Sequence, residues 1–406
     1  ARAATAPAQP PAAPEPAQPR PVTISATASL INALTARVSK GSSGHLNSQS
    51  ERLFHTGQKL QEGEPASPSF FPAESTGRKR SSRNSKPYLT VTIPSTQLHK
   101  DIRHLGGEKI FDHYCWDEVL QEQGDGGKVV VCKRKDSPEG RHSYVMKMRS
   151  KEALREQYHE EEFRKSQVRM LNFPPHVGVM PLREVLEDDK FYYIVMDKAD
   201  GGSFFYSLLT DFQDGALPHS AIKSLIRELL EAVSHVHKQG MLHRDIKPDN
   251  LVMQFHDDPG SPTGKVKKVV LIDFDHADPD WSPLSPRRGG TCYGTMRFNA
   301  PETFLGEYSA ESDLYSVGTI LYLLMTGKMP YNDEVFERQL EAASPGSRGW
   351  MDEVYFLMKQ EPVDWACSPW PEQPECKNLC ASLLAFQVRN RPGSAEDALS
   401  HKWLDT

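Results

Sequence analysis

The sequence predicts an α+β chain of two lobes, a small β-rich unit followed by a larger α-helical one, behind a disordered leader. Three observations carry this reading. Residues 1–21 hold seven prolines interleaved with alanine, residues 115–196 are rich in strand patterns with one charged helix, and helical periodicities such as 221–239 and 312–325 dominate from residue 201 onward. The chain has 406 residues and a formal charge of −6, which excludes a single small module. No run approaches the roughly 18 apolar residues that a membrane-spanning helix needs.

The charge is unevenly placed. Residues 1–100 carry 12 Lys/Arg against 5 Asp/Glu, and the remaining 306 carry 36 against 49, so a basic leader precedes an acidic body. The Ala/Pro segment buries too little apolar surface to offset the entropy of ordering it. Within 25–40, Leu30, Ile31, Leu34 and Val38 fall at helical spacing, with Arg37 and Lys40 at the C-terminal end and Gly41 as a stop. This short amphipathic helix either docks on the body or meets a membrane surface or partner. The leader, 1–86, ends in the basic run 78–86, formed by Arg78, Lys79, Arg80, Arg83 and Lys86, a solvated linker, a nuclear-import signal or a contact for anionic lipid. The first residue is Ala1, which reads as a trimmed product.

Ordered sequence is expected from Tyr88, where Leu89, Val91 and Ile93 alternate as a strand, so 87–113 is an N-terminal extension and 114–406 the main domain. Six cysteines are too few for a disulfide-built scaffold, and their spacing makes no credible zinc site. A disulfide among Cys367, Cys376 and Cys380 stays open.

The motifs with chemical content begin at His243, Arg244, Asp245, Ile246, Lys247, Pro248, Asp249 and Asn250. Twenty-eight positions past Asp245 stands Asp273, followed by Phe274 and Asp275, and then Gly294, Thr295, Met296, Arg297, Phe298, Asn299, Ala300, Pro301 and Glu302. This order resembles the eukaryotic protein kinase family of the Ser/Thr type, over about 70% of the chain. The resemblance implies a bilobal fold with an N-lobe at 114–196, a hinge at 197–202 and a C-lobe at 203–406. It also implies ATP and Mg²⁺ as cofactors, protein substrates, no nucleic-acid partner and a monomer.

Phosphoryl transfer needs in-line geometry, cations and Mg²⁺ ligands more than covalent help. By the resemblance, Asp245 orients the substrate hydroxyl, Lys247 contacts the transferred phosphate, and Asn250 and Asp273 hold Mg²⁺. Lys147, ending the run Tyr144, Val145, Met146, stands at the ATP-anchoring position 98 residues before Asp245. Met196 is the gatekeeper, the backbones of Asp197 and Ala199 meet adenine, and Val129, Val145 and Val252 sandwich the ring. In the activation segment Thr291 and Tyr293 are phosphosite candidates for Arg244, which otherwise satisfies local carbonyls. Thr295 shapes the substrate groove, Glu302 pairs with Arg391, and Asp313 anchors the catalytic loop. Residues 254–268 read as a lengthened surface hairpin.

Three departures from the family pattern stand out. The phosphate loop keeps Gly124 and Gly127 but has Glu122 at the first glycine position, where a side chain obstructs the approach of backbone amides to phosphate. Asp275 replaces the usual glycine, which implies a stiffer activation segment or a second carboxylate near the metal. Family spacing puts Arg164 where a helix glutamate should pair with Lys147. Glu161, one turn earlier, is assigned that role, with Glu160 and Glu162 as alternatives and another acid if none of them reaches. With the Ala/Pro-rich leader, these traits are similar to the divergent secreted kinases of apicomplexan parasites, the rhoptry and with-no-Gly-loop group. That likeness implies delivery to the parasitophorous vacuole or its membranes, the other location being cytoplasmic. A catalytically weak scaffold is the alternative function.

Overall fold

A computed structural model describes residues 22–23, 99–122, 126–136, 143–157, 159–212, 216–284, 287–288, 292–337 and 347–405. The expected helix at 25–40, the basic run 78–86 and the strand around Leu89 lie outside these residues. Of the leader, Val22–Thr23 pairs antiparallel with Ala216–Leu217.

The N-lobe is a six-stranded sheet built from β1 (Arg103–His104), β2 (Tyr114–Glu122), β3 (Lys128–Arg134), β4 (Tyr144–Ser150), β5 (Leu182–Glu187) and β6 (Phe191–Asp197). Its order is β1-β5-β6-β4-β3-β2. Only β1, contributed by the N-terminal extension, runs parallel to its neighbour β5. The pleat decides what faces the cleft. In β4, Met146 and Met148 are buried with Tyr114, Val130, Cys132, Leu186 and Tyr193. Val145, Lys147 and Arg149 therefore share the opposite face. Val129 of β3 lies directly across from Lys147, and Val131 across from Val145, so both valines join that face. Two helices follow β4: α1 (Lys151–Glu156), capped by Ser150 Oγ, and α2 (Glu160–Leu171), which packs through Phe163, Met170 and Leu171.

The C-lobe contains α3 (Phe204–Asp211), α4 (His219–Lys238), the hairpin of β7 (Leu251–Asp257) with β8 (Lys265–Leu271), α5 (Ala310–Thr326), α6 (Arg348–Gln360) and α7 (Pro374–Leu383). The lengthened hairpin expected at 254–268 is formed, in register from Leu251↔Leu271 to Asp257↔Lys265. Helix α4 buries Ile222, Leu225, Ile226, Leu229, Leu230, Val233 and Val236, the stripe of a helix with one wet face. Each such side chain contributes roughly 1.5–3 kcal/mol. Helix α5 is buried nearly all round and forms the axis of the lobe. The hinge is joined to β7 by reciprocal hydrogen bonds, Gly201 N–H to Met253 O and Met253 N–H to Gly202 O, both 2.9 Å. A Cβ on Gly201 would lie 2.5 Å from Met253 O, so glycine is required there.

The disulfide left open among Cys367, Cys376 and Cys380 is not formed. All six cysteines are free thiols, and Cys376 and Cys380 are buried in the C-lobe core. Among the described residues no cluster of His, Cys, Asp and Glu suits a metal ion of its own, and no helix is long and apolar enough to cross a membrane.

Candidate active site

The loop after α4 and the segment after β8 each pass through a conformation that side chains ordinarily avoid. Arg244 has φ +65° and Asp273 has φ +68°, both in the left-handed region. Asp313, buried on α5, stabilises this course by accepting from His243 N–H and Arg244 N–H, each at 2.9 Å, and from His237 Nε2 at 2.9 Å. Burial would raise the Asp313 carboxyl, but His237 and these donors hold it below the usual carboxylate range. Gly294, at φ +86°, passes so close that a Cβ there would lie 2.3 Å from Arg244 O.

Asp245 is the hub of the loop. Its Oδ1 accepts from Thr295 Oγ1 at 2.8 Å, and its Oδ2 faces Lys247 Nζ at 3.0 Å and Asn250 Nδ2 at 3.0 Å. Lys247 Nζ also donates to Thr295 Oγ1 at 2.7 Å, so the three side chains form a closed triangle. Asn250 Nδ2 donates to Asp245 O as well, at 2.8 Å, which commits its amide hydrogens to the loop and leaves the amide oxygen as a free-standing acceptor type. An amide oxygen and the Asp273 carboxylate are the hard donors that Mg²⁺ takes, so the residues fit that ion.

Lys147 lies on the cleft face, but not with the partner expected. Its Nζ sits 2.7 Å from both Asp273 carboxylate oxygens and 2.8 Å from Asp275 Oδ2, and Arg149 Nε is 3.1 Å from the same Asp275 oxygen. Burial lowers the affinity of Lys147 for its proton, yet the two carboxylates outweigh this and hold it above the ordinary lysine value. Burial would likewise raise Asp273, but the Lys147 ammonium holds it well below the carboxylate range.

The assignment of Glu161 to Lys147 is therefore corrected. Glu161 is 84% exposed and pairs with Lys165 one turn along α2, at 2.9 Å. Glu160 faces Arg155 and the Tyr192 hydroxyl, and Glu162 faces Arg244. Arg164, which stands where the glutamate was sought, binds both oxygens of Glu187 at 2.8 and 2.9 Å, beside Lys151 at 2.7 Å. The acid that reaches Lys147 is instead Asp275, two residues past Asp273. The signal in the sequence was a pair of i, i+2 doublets, Lys147/Arg149 on one strand face and Asp273/Asp275 opposite in sign.

Of the two readings of Arg244, the structure realises the one with local carbonyls and adds an acid. The buried guanidinium donates to His276 O at 2.5 Å and Ala277 O at 3.2 Å, pairs with Glu162 at 3.1 Å and stacks on the Tyr293 ring at 3.9 Å. The Tyr293 hydroxyl is 3.1 Å from Glu162, so it closes the same cluster. Thr291 lies outside the described residues. Because the cluster joins α2 to the catalytic loop, Glu162→Ala is expected to cost roughly 1.5–3 kcal/mol of stability by leaving a buried cation without its acid. Urea unfolding checks this, with exposed Glu161→Ala as the control expected within about 0.5 kcal/mol of wild type.

The remaining pocket residues line the cleft as strand register dictates. Val129, Val145 and Met196 come from adjacent strands, Val145 lying across from Met196. Val252 and Ala199 pack against the core from below, and Gly127 is buried at the turn. Gly124 lies outside the described residues. Glu122, at the end of β2, pairs with Lys128 across the turn at 3.1 Å, so its carboxylate is held by a cation. The Asp197 side chain is taken by Arg183, at 2.8 Å from Nε. Farther off, Glu302 and Arg391 form the expected pair, at 2.6 and 2.8 Å.

A two-lobed fold with this cleft between sheet and helices is the architecture of a protein kinase domain. The protein kinase domain family matches residues 118–404, and the chain belongs to the protein kinase family. It is similar to calcium-dependent protein kinase 4 of Plasmodium berghei, with 24% identity over 80% of this chain and 56% of that protein. It is also similar to the serine/threonine-protein kinase H1 homolog of Pinctada fucata, with 27% identity over 80% of this chain and 66% of that protein. Against serine/threonine-protein kinase AtPK2/AtPK19 of Arabidopsis thaliana the identity is 32% over 71% of this chain and 54% of that protein. The chain thus spans about half to two thirds of the length of these relatives.

Proposed function

We propose that the chain is an ATP- and Mg²⁺-dependent protein Ser/Thr kinase that transfers a γ-phosphoryl group to protein hydroxyls. The observation that carries this reading is the closed set of Asp245, Lys247 and Thr295 with Asn250 on Asp245, together with the pair of Lys147 on Asp273. Asp245 is the group placed to orient a hydroxyl and take its proton, and Lys247 and Thr295 hold its carboxylate in one rotamer. Asn250 and Asp273 would hold Mg²⁺, which neutralises phosphate charge when bound. Lys147 would anchor the nucleotide phosphates, and Val129, Val145, Val252 and Met196 would exclude water around the base.

Incubation with ATP, Mg²⁺ and a generic acceptor, followed by mass spectrometry of the phosphosites, tests the reading. Phosphoserine and phosphothreonine that vanish with chelator and in Asp245→Ser are expected. A wild-type protein as inert as Asp245→Ser would shift the reading to a scaffold that binds partners without turnover. One observation favours that second reading: no acid of α2 reaches Lys147.

The finer placement is among divergent secreted kinases of the rhoptry and with-no-Gly-loop kind, acting in a vacuole or on its membranes. It is supported by Glu122 in the phosphate loop, by Asp275 after Phe274 and by the Ala/Pro-rich leader. The leader would supply the membrane contact, through 25–40 or 78–86, and the catalytic domain would act as a monomer on protein substrates. Imaging of the tagged full chain in its native cell decides the location, a cytosolic signal being the outcome against it.

A further inference from the structure

Two cations and two acids meet in the cleft where a kinase ordinarily needs only one lysine and two acids from separate elements. Lys147 and Arg149 project from the same face of β4, and Asp273 and Asp275 from the segment below. The Asp275 side chain is 7% exposed, and its Oδ2 lies 2.8 Å from Lys147 and 3.1 Å from Arg149. On the other side, every acid at the start of α2 is spoken for: Glu160 by Arg155 and Tyr192, Glu161 by Lys165, Glu162 by Arg244.

We propose that Asp275 is the positioning residue for Lys147, doing from the activation segment what a helix glutamate does elsewhere, with Arg149 as the second cation on the same carboxylate oxygen. The inference rests on the kinase reading and deepens it. Lys147 needs an acid beside Asp273 for a physical reason. When Asp273 turns its oxygens to a metal ion, a lysine held by it alone loses its fixed direction, and misplacement of about 1 Å costs rate. Asp275 is a second carboxylate, two residues past Asp273, that reaches the same ammonium at 2.8 Å. Arg149 explains why that position tolerates an acid: without it, two carboxylates would share one ammonium in a low-dielectric pocket. The arrangement also relieves α2 of the task, which frees Glu162 to hold Arg244 and Arg164 to hold Glu187.

The test uses the full chain and three variants with two readouts. Asp275→Asn is expected to lower kcat/KM for ATP about 10- to 100-fold, mostly in kcat, the loss of one close ion pair that orients a reacting cation. The paired variant Arg149→Met/Asp275→Gly removes one cation and one anion together, so it keeps the charge balance and guards against simple misfolding. It is expected to stay as slow as Asp275→Asn. Recovery to the wild-type rate would mean that Asp275 only neutralises Arg149, and would overturn the proposal. Glu161→Gln is expected to match wild type. The second readout is the rate at which an amine-directed acylating reagent labels Lys147, followed by mass spectrometry and requiring no turnover. Labelling should be several-fold faster in both Asp275 variants, and an unchanged rate would also overturn the proposal. Should the wild type transfer no phosphate, the kinase reading fails while the labelling rate still decides whether Asp275 holds Lys147.

Discussion

Asp245→Asn is expected to lower kcat by roughly 10²–10⁴-fold, the range that a positioned general base contributes, with KM for ATP near the wild-type value. The substitution keeps shape, and an amide oxygen can still accept from Thr295 Oγ1 where Oδ1 does so now at 2.8 Å. What is lost is the charge that faces Lys247 at 3.0 Å and the basicity that takes a proton from a hydroxyl. Steady-state kinetics in varied ATP and acceptor check it, with circular dichroism to show that the fold persists. A kcat within a few-fold of wild type would remove Asp245 from the chemistry.

The same carboxylate sets a pH expectation. Burial pushes Asp245 up, but Lys247 and His276, helped by the hydrogen bond from Thr295, outweigh this and leave it below the ordinary carboxylate value. A group depressed in the folded state adds stability above its unfolded pKa of about 3.9, and loses it as pH falls through the lower folded value. The acid limb that Asp245 imposes on kcat therefore lies below the ordinary Asp range.

Residues whose chemistry demands a type at a short fixed spacing were legible from sequence alone. Asp245, Lys247 and Asn250 sit within one turn of chain, and a backbone loop can bring three such groups together in few ways. In β4, Val145 and Lys147 share the face opposite Met146, because the strand period of two leaves no choice. Pairings between distant elements were not legible. Lys147 meets Asp273 across 126 positions, and which acid fills its remaining side depends on how α2 is rotated. Three consecutive glutamates on a helix point in directions 100° apart, so spacing selected a turn of α2 and not a partner. Arg155, Lys165 and Arg244, each on a different flank, drew one glutamate apiece. From sequence Asp275 implies a stiffer activation segment or a second carboxylate near the metal, and Arg149, the cation two residues past Lys147, is the feature that places it on Lys147. The β1 edge was invisible for a simpler reason: two residues carry no alternation.

Arg391→Met is expected to lower the free energy of unfolding by about 3–5 kcal/mol, the cost of stranding one member of a buried pair. The Arg391 side chain is wholly buried, and its two terminal nitrogens bind Glu302 at 2.6 and 2.8 Å. Replacing both partners with apolar residues, Glu302→Leu/Arg391→Met, abolishes the stranded charge, and in many proteins such a swap restores stability. Here it should not restore it fully. Arg391 also donates to the carbonyls of Ala385 at 2.8 Å, Glu311 at 3.0 Å and Phe386 at 3.4 Å, and its guanidinium lies over the Tyr315 ring at 4.9 Å. A methionine offers those oxygens nothing, and Ser312, which donates to Glu302 Oε1 at 2.8 Å, loses its acceptor as well. Each unmet buried group costs about 1–3 kcal/mol, so the double variant should recover only part of the single variant's loss in urea unfolding. Full recovery would show that the ion pair alone joins the activation segment to the C-terminal helices. Partial recovery assigns the rest to arginine as a fork of donors, a task that lysine at 391 could not perform, since one ammonium cannot face Glu302 and three carbonyls at once.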